Sequence, residues 1–319
     1  MKRTLWLILR ILVSGGLLFL ILRGMNFGET ITLLKNANIG LFFLSFVAYF
    51  LIAVLSTLRW YELLRAQKVK LSYKKTLAYY LVGFFFNNFL PAVLGGGAIR
   101  AFYAGRFTNK NKEAFASMAT ELIFGLIGLF LFTVIVVLVY LGFKFKGTIL
   151  AFIVGGLILM VVATILLFNR RFIRKFRGLV DRITFWGFGQ KLKEFYNAMY
   201  FYKDKRWLIF RVILYSFGVQ FAIGLMNFFV GKSLGFQLPF MSYIVYPSMI
   251  SILMMAPITI NGLGVREWGY RFFFAFVGLS SSQAVTLSLL FYFVGVIGSL
   301  SGGLIFPFMK IERGQAQKI

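Results

Sequence analysis

Cysteine and histidine are both absent from this chain of 319 residues. Without cysteine there is no disulfide framework, no thiolate nucleophile and no cysteine-ligated metal. Without histidine there is no Ser-His-Asp triad and no histidine-ligated zinc. Aspartate is nearly missing too, since Asp181 and Asp204 are the only two and both lie in one basic loop. No Asp-x-Asp pair exists, so the usual reagents of most enzyme chemistries are lacking. No metal and no cofactor is expected. Acidic charge is scarce overall: 9 Asp+Glu stand against 35 Lys+Arg, a net +26.

What the chain has in abundance is apolar surface. It is 60% hydrophobic, with a mean hydropathy of +0.84, against about 45–50% apolar for a soluble domain. The excess gathers in nearly uncharged stretches whose length suits a helix crossing a hydrocarbon core of about 30 Å. The chain therefore reads as an all-α polytopic membrane protein, and a soluble enzyme is excluded. The bases sit in short loops between these stretches. Such loops orient membrane proteins and attract anionic headgroups, so nucleic acid is not an expected partner.

Six plain crossings are expected: Leu5 to Leu22, Ile39 to Leu58, about Phe115 to Leu141, Thr148 to Phe168, Trp207 to Val230 and about Gln283 to Met309. The first follows Lys2 and Arg3 as a signal peptide would. Its length, its Arg10 and the lack of a small-x-small cleavage site favour a retained helix. Trp6, Trp60, Trp207 and Trp268 fall near span ends, where interfacial aromatics belong.

Two further apolar regions are broken. Thr76 to Leu94 runs into Asn87, Asn88, Pro91 and the triplet Gly95-Gly96-Gly97. Leu238 to Ile260 carries Pro239, Pro247 and Pro257 and then Asn261-Gly262-Leu263-Gly264. Proline and clustered glycine interrupt helices, and broken backbone at membrane depth must be shielded by protein or line a watery cavity.

Charge sets a topology. The loop after the second span holds Arg59, Arg65, Lys68, Lys70, Lys74 and Lys75, and the segment 169–206 holds eleven Lys or Arg. Both belong inside, as do the two termini. The loops at 23–38, 142–147 and 231–238 are poor in bases and belong outside. Each broken region must then return to the side it entered from, as a re-entrant hairpin, and the two must enter from opposite faces.

The broken regions also align. Pro91, Gly96 and Arg100 recur as Pro257, Gly262 and Arg266, at offsets 0, 5 and 9. Two unrelated helix breaks would produce the same spacing, but the opposed topology favours an inverted repeat, the best sequence pointer to a transporter's central site. The expected organisation is one integral membrane domain, 1–319. Pseudo-repeats of about 39–141 and 207–309 are joined by the basic interfacial segment 169–206.

A site follows from the breaks. The helix start after each break carries a partial positive charge that suits phosphate. Gly96, Gly97, Gly262 and Gly264 allow close approach of a headgroup, while Arg100 and Arg266 are placed to fork onto its oxygens. Both arginines also read as interfacial anchors. Glu121 is a membrane acid that needs a partner, either Arg100 or Arg266 inside the bundle or water at the interface. Glu267 adjoins Arg266. Asn87 and Asn88 either line the cavity or satisfy the broken backbone. Glu62, three residues after Arg59, reads as half of a local helix pair.

The basic segment shows Phe172, Ile173, Phe176, Leu179, Val180 and Ile183 on one helical face, and Phe188, Leu192, Phe195, Tyr196 and Met199 on a second. These read as amphipathic helices on the cytoplasmic leaflet, joining the halves and holding anionic lipid, or docking a partner. Gly231-Lys232-Ser233 is no phosphate-binding loop, because Met226 stands where its first glycine belongs. Gly262-Leu263-Gly264 lacks a third glycine, with Glu267 in its place.

Four stretches carry a family likeness: Arg59-Trp60-Tyr61-Glu62-Leu63-Leu64; Asn88-Phe89-Leu90-Pro91 through Gly95-Gly96-Gly97 to Arg100; Ala116-Ser117 to Glu121; and Gly262-Leu263-Gly264-Val265-Arg266-Glu267, with Leu279, Ala284 and Gly302-Gly303 beyond. In these the chain resembles the transmembrane region of lysylphosphatidylglycerol synthases and their stand-alone relatives. The resemblance implies a lipid flippase, with Arg100, Glu121, Arg266 and Glu267 lining the lipid cavity. Leu122 and Phe291-Tyr292-Phe293 depart from family positions that often hold arginine, which bears on the substrate. The soluble aminoacyl-transferring domain is not expected here, so this chain should not make the lipid it moves.

The expected function is transport of a phosphate-containing lipid across the cell membrane: a phospholipid, an aminoacylated phospholipid or a polyprenyl-phosphate-linked lipid. The expected partners are membrane lipids, anionic or phosphate-linked, and a homo-oligomer stays open. A lipid-modifying transferase and a structural or regulatory membrane subunit are the alternatives.

Overall fold

A computed structural model describes residues 26–89, 95–141, 147–167, 195–255 and 262–309. All regular structure among them is helical. Ten α-helices follow one another: α1 (Phe27–Lys35), α2 (Ile39–Ala66), α3 (Tyr73–Asn87), α4 (Gly95–Thr108), α5 (Asn111–Leu141), α6 (Gly147–Leu167), α7 (Arg206–Ser233), α8 (Ser242–Leu253), α9 (Val265–Ala275) and α10 (Ser281–Ile305). Residues 195–200 form a further helical turn.

Among the described residues, four helices are long and apolar enough to cross a membrane: α2, α5, α7 and α10 with the turn that follows it. The 25 residues of α10 span roughly 37 Å at about 1.5 Å per residue, enough for the hydrocarbon core. The expected crossing Thr148 to Phe168 falls on the 21-residue helix α6. The expected first span, Leu5 to Leu22, lies outside the described residues.

Polar caps set several starts. Asn38 Oδ1 accepts the Leu41 N–H at 3.0 Å at the head of α2. Ser280 and Gln283 close a reciprocal capping box at the head of α10, at 3.2 and 3.0 Å. Proline does not always break the chain here. Pro247 lies inside α8, which continues through it. The carbonyl that its ring deprives of an amide partner, that of Tyr243, lies beside Gly224 of α7, where the lack of a side chain leaves room. Pro91 and Pro257 lie outside the described residues.

Each broken region is a pair of short helices in mutual contact, α3 with α4 and α8 with α9. Order and packing repeat. The series long, short, short, long occurs as α2–α5 and again as α7–α10. α3 packs on α10 as α8 packs on α5, α4 packs on α5 as α9 packs on α10, and α2 packs on α7. α2 and α7 run antiparallel: the Asn38 N–H donates to the Ser233 carbonyl at 2.8 Å at one end, and Arg211 meets Glu62 at 3.3 Å near the other. α5 is antiparallel to α2, since Trp60 near the end of α2 bonds Ser117 near the start of α5. The segment α3–α4 therefore leaves and rejoins the bundle at the same end.

Glycine permits the closest contacts. A Cβ on Gly96 would fall on the Gly83 carbonyl, and one on Gly302 on the Leu81 carbonyl. The first contact closes the α3–α4 pair. The second seats α3 on Gly302 and Gly303 of α10, while Gly298 faces Tyr49 of α2, so small residues of α10 serve two helix interfaces.

The described end of the basic segment does not lie open. Met199 and Tyr202 are buried with Leu63, Leu208 and Val212, and Tyr202 Oη donates to the Leu63 carbonyl at 2.9 Å. Its apolar side faces protein, because the ends of α2 and α7 offer it a deeper contact than a surface could. Residues 168–194 lie outside the described residues.

Candidate functional site

Glu121 is 1% exposed and organises the larger polar cluster. Its Oε1 accepts three bonds: from Arg59 Nε at 3.1 Å, Arg59 Nη2 at 2.9 Å and Tyr80 Oη at 2.8 Å. Its Oε2 accepts from Arg100 Nη2 at 2.6 Å. Four helices thus converge, α2 with Arg59, α3 with Tyr80, α4 with Arg100 and α5 with Glu121. Arg59 also reaches the second half of the chain, donating from Nη1 to Ser216 Oγ of α7 at 3.0 Å.

Arg100 sits between aromatic faces, 4.0 Å from the Tyr80 ring centre and 4.6 Å from that of Trp60. Trp60 is held by its Nε1–H on Ser117 Oγ at 3.0 Å. These rings shield the guanidinium and stabilise its charge. Two cations meet one carboxylate, so the cluster carries one excess positive charge. Arg100 is 8% exposed, and its Nη1 has no hydrogen-bond partner among the described residues. A cavity of about 150 Å³ opens on the cluster, lined by Arg59, Arg100, Glu121, Asn87, Gly96 and Gly97 among others. A cavity lined by two arginines, one of them with an unpaired donor, suits an anion.

The second break builds a related arrangement. Gly262 and Gly264 adopt φ of +73° and +86°, values at which a side chain would be strained. The turn brings the Arg266 N–H onto the Gly262 carbonyl at 2.8 Å and starts α9. Glu267 Oε2 accepts the Gly264 N–H at 2.7 Å, which caps that helix. Its Oε1 pairs with Arg266, which is 3% exposed. Arg266 Nε also contacts Ser288 Oγ at 3.2 Å, and the guanidinium lies 4.2 Å from the Tyr292 ring centre. Here charge balances one to one. Nearby, Tyr270 Oη donates to Asn227 Oδ1 at 2.5 Å, tying α9 to α7.

The repeated arginines thus share a setting: in the first half of a helix that follows a break, stacked on a tyrosine, paired to a carboxylate. The carboxylates differ in origin. Glu121 comes from the next long helix, Glu267 from the adjacent position. Of the two partners expected for Glu121, Arg100 takes the role and Arg266 does not. Asn87 does both things foreseen for it, lining the cavity and accepting the Gly96 N–H at 2.9 Å. Asn88 serves backbone and packing, donating to Ser299 Oγ at 2.7 Å and to the Phe85 carbonyl at 3.0 Å.

Three readings need correction. Arg59 is not paired locally with Glu62: it turns inward to Glu121, and Glu62 pairs with Arg211 of α7. The reason is packing, because the antiparallel contact of α2 and α7 offers each group a partner on another helix. Trp60 is no interfacial aromatic, being fully buried, whereas Trp207 and Trp268 are 77% and 48% exposed. Pro247 breaks no helix. Sequence reasoning also missed Tyr80, Ser216, Ser288 and Tyr292 as members of these clusters. None carries a local motif, and each lies on a different helix from the arginine it meets.

Similar proteins agree with this picture of a membrane-embedded helical chain. The family profile for the lysylphosphatidylglycerol synthase TM region matches residues 7–302. A UPF0104 membrane protein of Pyrococcus horikoshii is 21% identical, with 93% of this chain and 95% of the relative aligned. UPF0104 membrane proteins of Methanothermobacter thermautotrophicus and Methanocaldococcus jannaschii are each 24% identical, covering 80% and 61% of this chain, and 81% and 62% of their own. No solved structure matches the chain significantly. With nearly its whole length matched, the chain belongs to the lysylphosphatidylglycerol synthase transmembrane-region family.

Proposed function

We propose that this protein moves a phosphate-bearing lipid across the cell membrane, as a transporter and not as an enzyme. One observation carries the reading: a cavity of about 150 Å³ is lined by both arginines of a cluster of net charge +1, in which the buried Arg100 Nη1 has no hydrogen-bond partner among the described residues. A volume of that order holds a group of about six heavy atoms. One phosphate group fits it, while acyl chains remain in the bilayer. The lipid is a phospholipid, an aminoacylated phospholipid or a polyprenyl phosphate.

In this reading α2, α5, α6, α7 and α10 cross the membrane together with the run Leu5 to Leu22, and both termini face the cytoplasm. The pairs α3–α4 and α8–α9 are re-entrant hairpins from opposite faces, halves of an inverted repeat. The headgroup is held alternately at Arg100 near one face and at Arg266 near the other. What supports this is the matching order and packing of the two halves, the antiparallel α2–α7 seam, and the like setting of both arginines. Rocking of such repeats about a central site is the general mode of alternating access. The two halves differ in charge: the Arg100 cluster lines a cavity with one cation in excess, while Arg266 is balanced by Glu267.

The test is reconstitution. Purified protein in liposomes with fluorescent phosphatidylglycerol should carry label between leaflets. Arg100→Ala and Arg266→Ala should each slow the movement at least tenfold, with no new lipid species by mass spectrometry. Wild-type protein that moves no phosphate-bearing lipid, polyprenyl phosphates included, would sink the reading.

A further inference from the structure

A second cleft lies on the same α2–α7 seam, outside the Arg59 cluster. It has a volume of about 660 Å³ and is lined by Glu62, Arg65, Asp204, Lys205, Arg206 and Arg211, with Ala66 and Trp207 at its walls. Four cations face two carboxylates there, an excess of two positive charges. The Glu62–Arg211 pair crosses the cleft at 3.3 Å and is only partly buried, with the two side chains 20% and 50% exposed. Such a pair is weak and readily exchanged for another partner.

The placement relates the cleft to the inner cluster. Arg59, Glu62 and Ala66 recur at helical spacing along one face of α2, and Ser216 and Arg211 answer them from α7. Three residues separate Arg59 from Glu62, roughly 4.5 Å along the helix axis. Trp207, 77% exposed at the cleft, is the kind of side chain that settles at a headgroup level. Cationic side chains therefore continue from an open cleft to a buried cluster along one seam.

We infer that this cleft is an outer phosphate site, on which an anionic group seats before passing inward, with the Glu62–Arg211 pair standing between the two positions. The arriving phosphate takes Arg211 from Glu62, and Arg59 lies one turn further in. The inward passage rests on the transport reading above, but occupancy of the cleft does not.

The chain has no cysteine, so Ala66→Cys puts a single fluorophore at the cleft wall. In nanodiscs of phosphatidylcholine, brominated phosphatidylglycerol is titrated in, and inorganic phosphate is added in a parallel series. Quenching that saturates with phosphatidylglycerol and resists inorganic phosphate identifies a lipid phosphate as the occupant. A fluorescence change that saturates with inorganic phosphate alone identifies a free one. Either supports the site. Arg65→Ala and Arg211→Ala should each raise the half-saturating amount about fivefold, whereas Arg100→Ala, at the inner cluster, should leave it unchanged. Equal quenching by brominated phosphatidylcholine, no response to either probe, or a response indifferent to Arg65→Ala and Arg211→Ala would overturn the proposal. Saturable quenching in a protein that moves no lipid would keep the outer site and remove only the transport reading.

Discussion

Replacing Glu121 by glutamine changes one charge and almost no volume, so its effect reports the electrostatics of the cluster. In the native protein Oε1 accepts from Arg59 and Tyr80, and Oε2 accepts from Arg100 at 2.6 Å. An amide has only one acceptor. If its oxygen keeps Arg59 and Tyr80, its nitrogen confronts the Arg100 Nη2 donor; turned over, it confronts Arg59. Either way at least one charge-assisted bond is lost, worth about 1.5–3 kcal/mol, and the rest weaken. The cluster charge rises from +1 to +2 among side chains that are 14%, 10% and 1% exposed. Breaking a buried pair costs about 3–5 kcal/mol. At about 2–4 °C per kcal/mol for a large domain, the melting midpoint in detergent should fall on the order of 10 °C. An added phosphodiester supplies the missing negative charge, and binding that favours the folded state returns about 2.7 kcal/mol at a hundredfold excess over Kd. Phosphatidylglycerol should therefore restore more than half of the loss in Glu121→Gln and stabilise wild type much less. Scanning fluorimetry with phosphatidylglycerol against phosphatidylcholine reads both effects. A variant melting within about 1 °C of wild type, or equal rescue by the two lipids, would refute the account of a carboxylate holding two arginines over an anion cavity.

Other perturbations separate structural from electrostatic roles. Gly96→Ala should cost about 1–3 kcal/mol and lower the yield of monodisperse protein, because its Cβ meets the Gly83 backbone and the α3–α4 pair must part. Tyr270→Phe should cost about 1–3 kcal/mol by thermal melting, since it strands the buried Asn227 carbonyl oxygen. Glu62→Gln, in contrast, should change the midpoint by less than about 1 kcal/mol, because its pair with Arg211 is half in solvent.

Much of this was legible in the sequence where local physics decides. Hydrophobic length marked α2, α5, α7 and α10. Glycine and asparagine marked the end of α3 and the starts of α4 and α9, because Gly96 admits the close contact with Gly83 and Gly262 and Gly264 take positive φ. The spacing of Gly96 to Arg100 and of Gly262 to Arg266 carried over intact, since both residues lie on one helix and its turn. Glu267 capping its own helix was within reach for the same reason. Pro247 misled because helix breaking by proline depends on whether neighbours accommodate the freed carbonyl, and that neighbour, Gly224, lies on another helix.

Composition alone determined that this chain lives in a membrane, and that its few acids would be costly to bury unpaired. It did not determine which base answers which acid. Arg59 and Tyr80 stand 62 and 41 residues from Glu121, on helices whose registry arises only when α2, α3 and α5 pack. In a low-dielectric interior a carboxylate must find a cation, so the need for a partner was written in the sequence. Its identity, the unpaired Nη1 of Arg100 and the cavity that the cluster lines came from the tertiary structure, because they depend on distances between helices that no periodicity along one helix encodes.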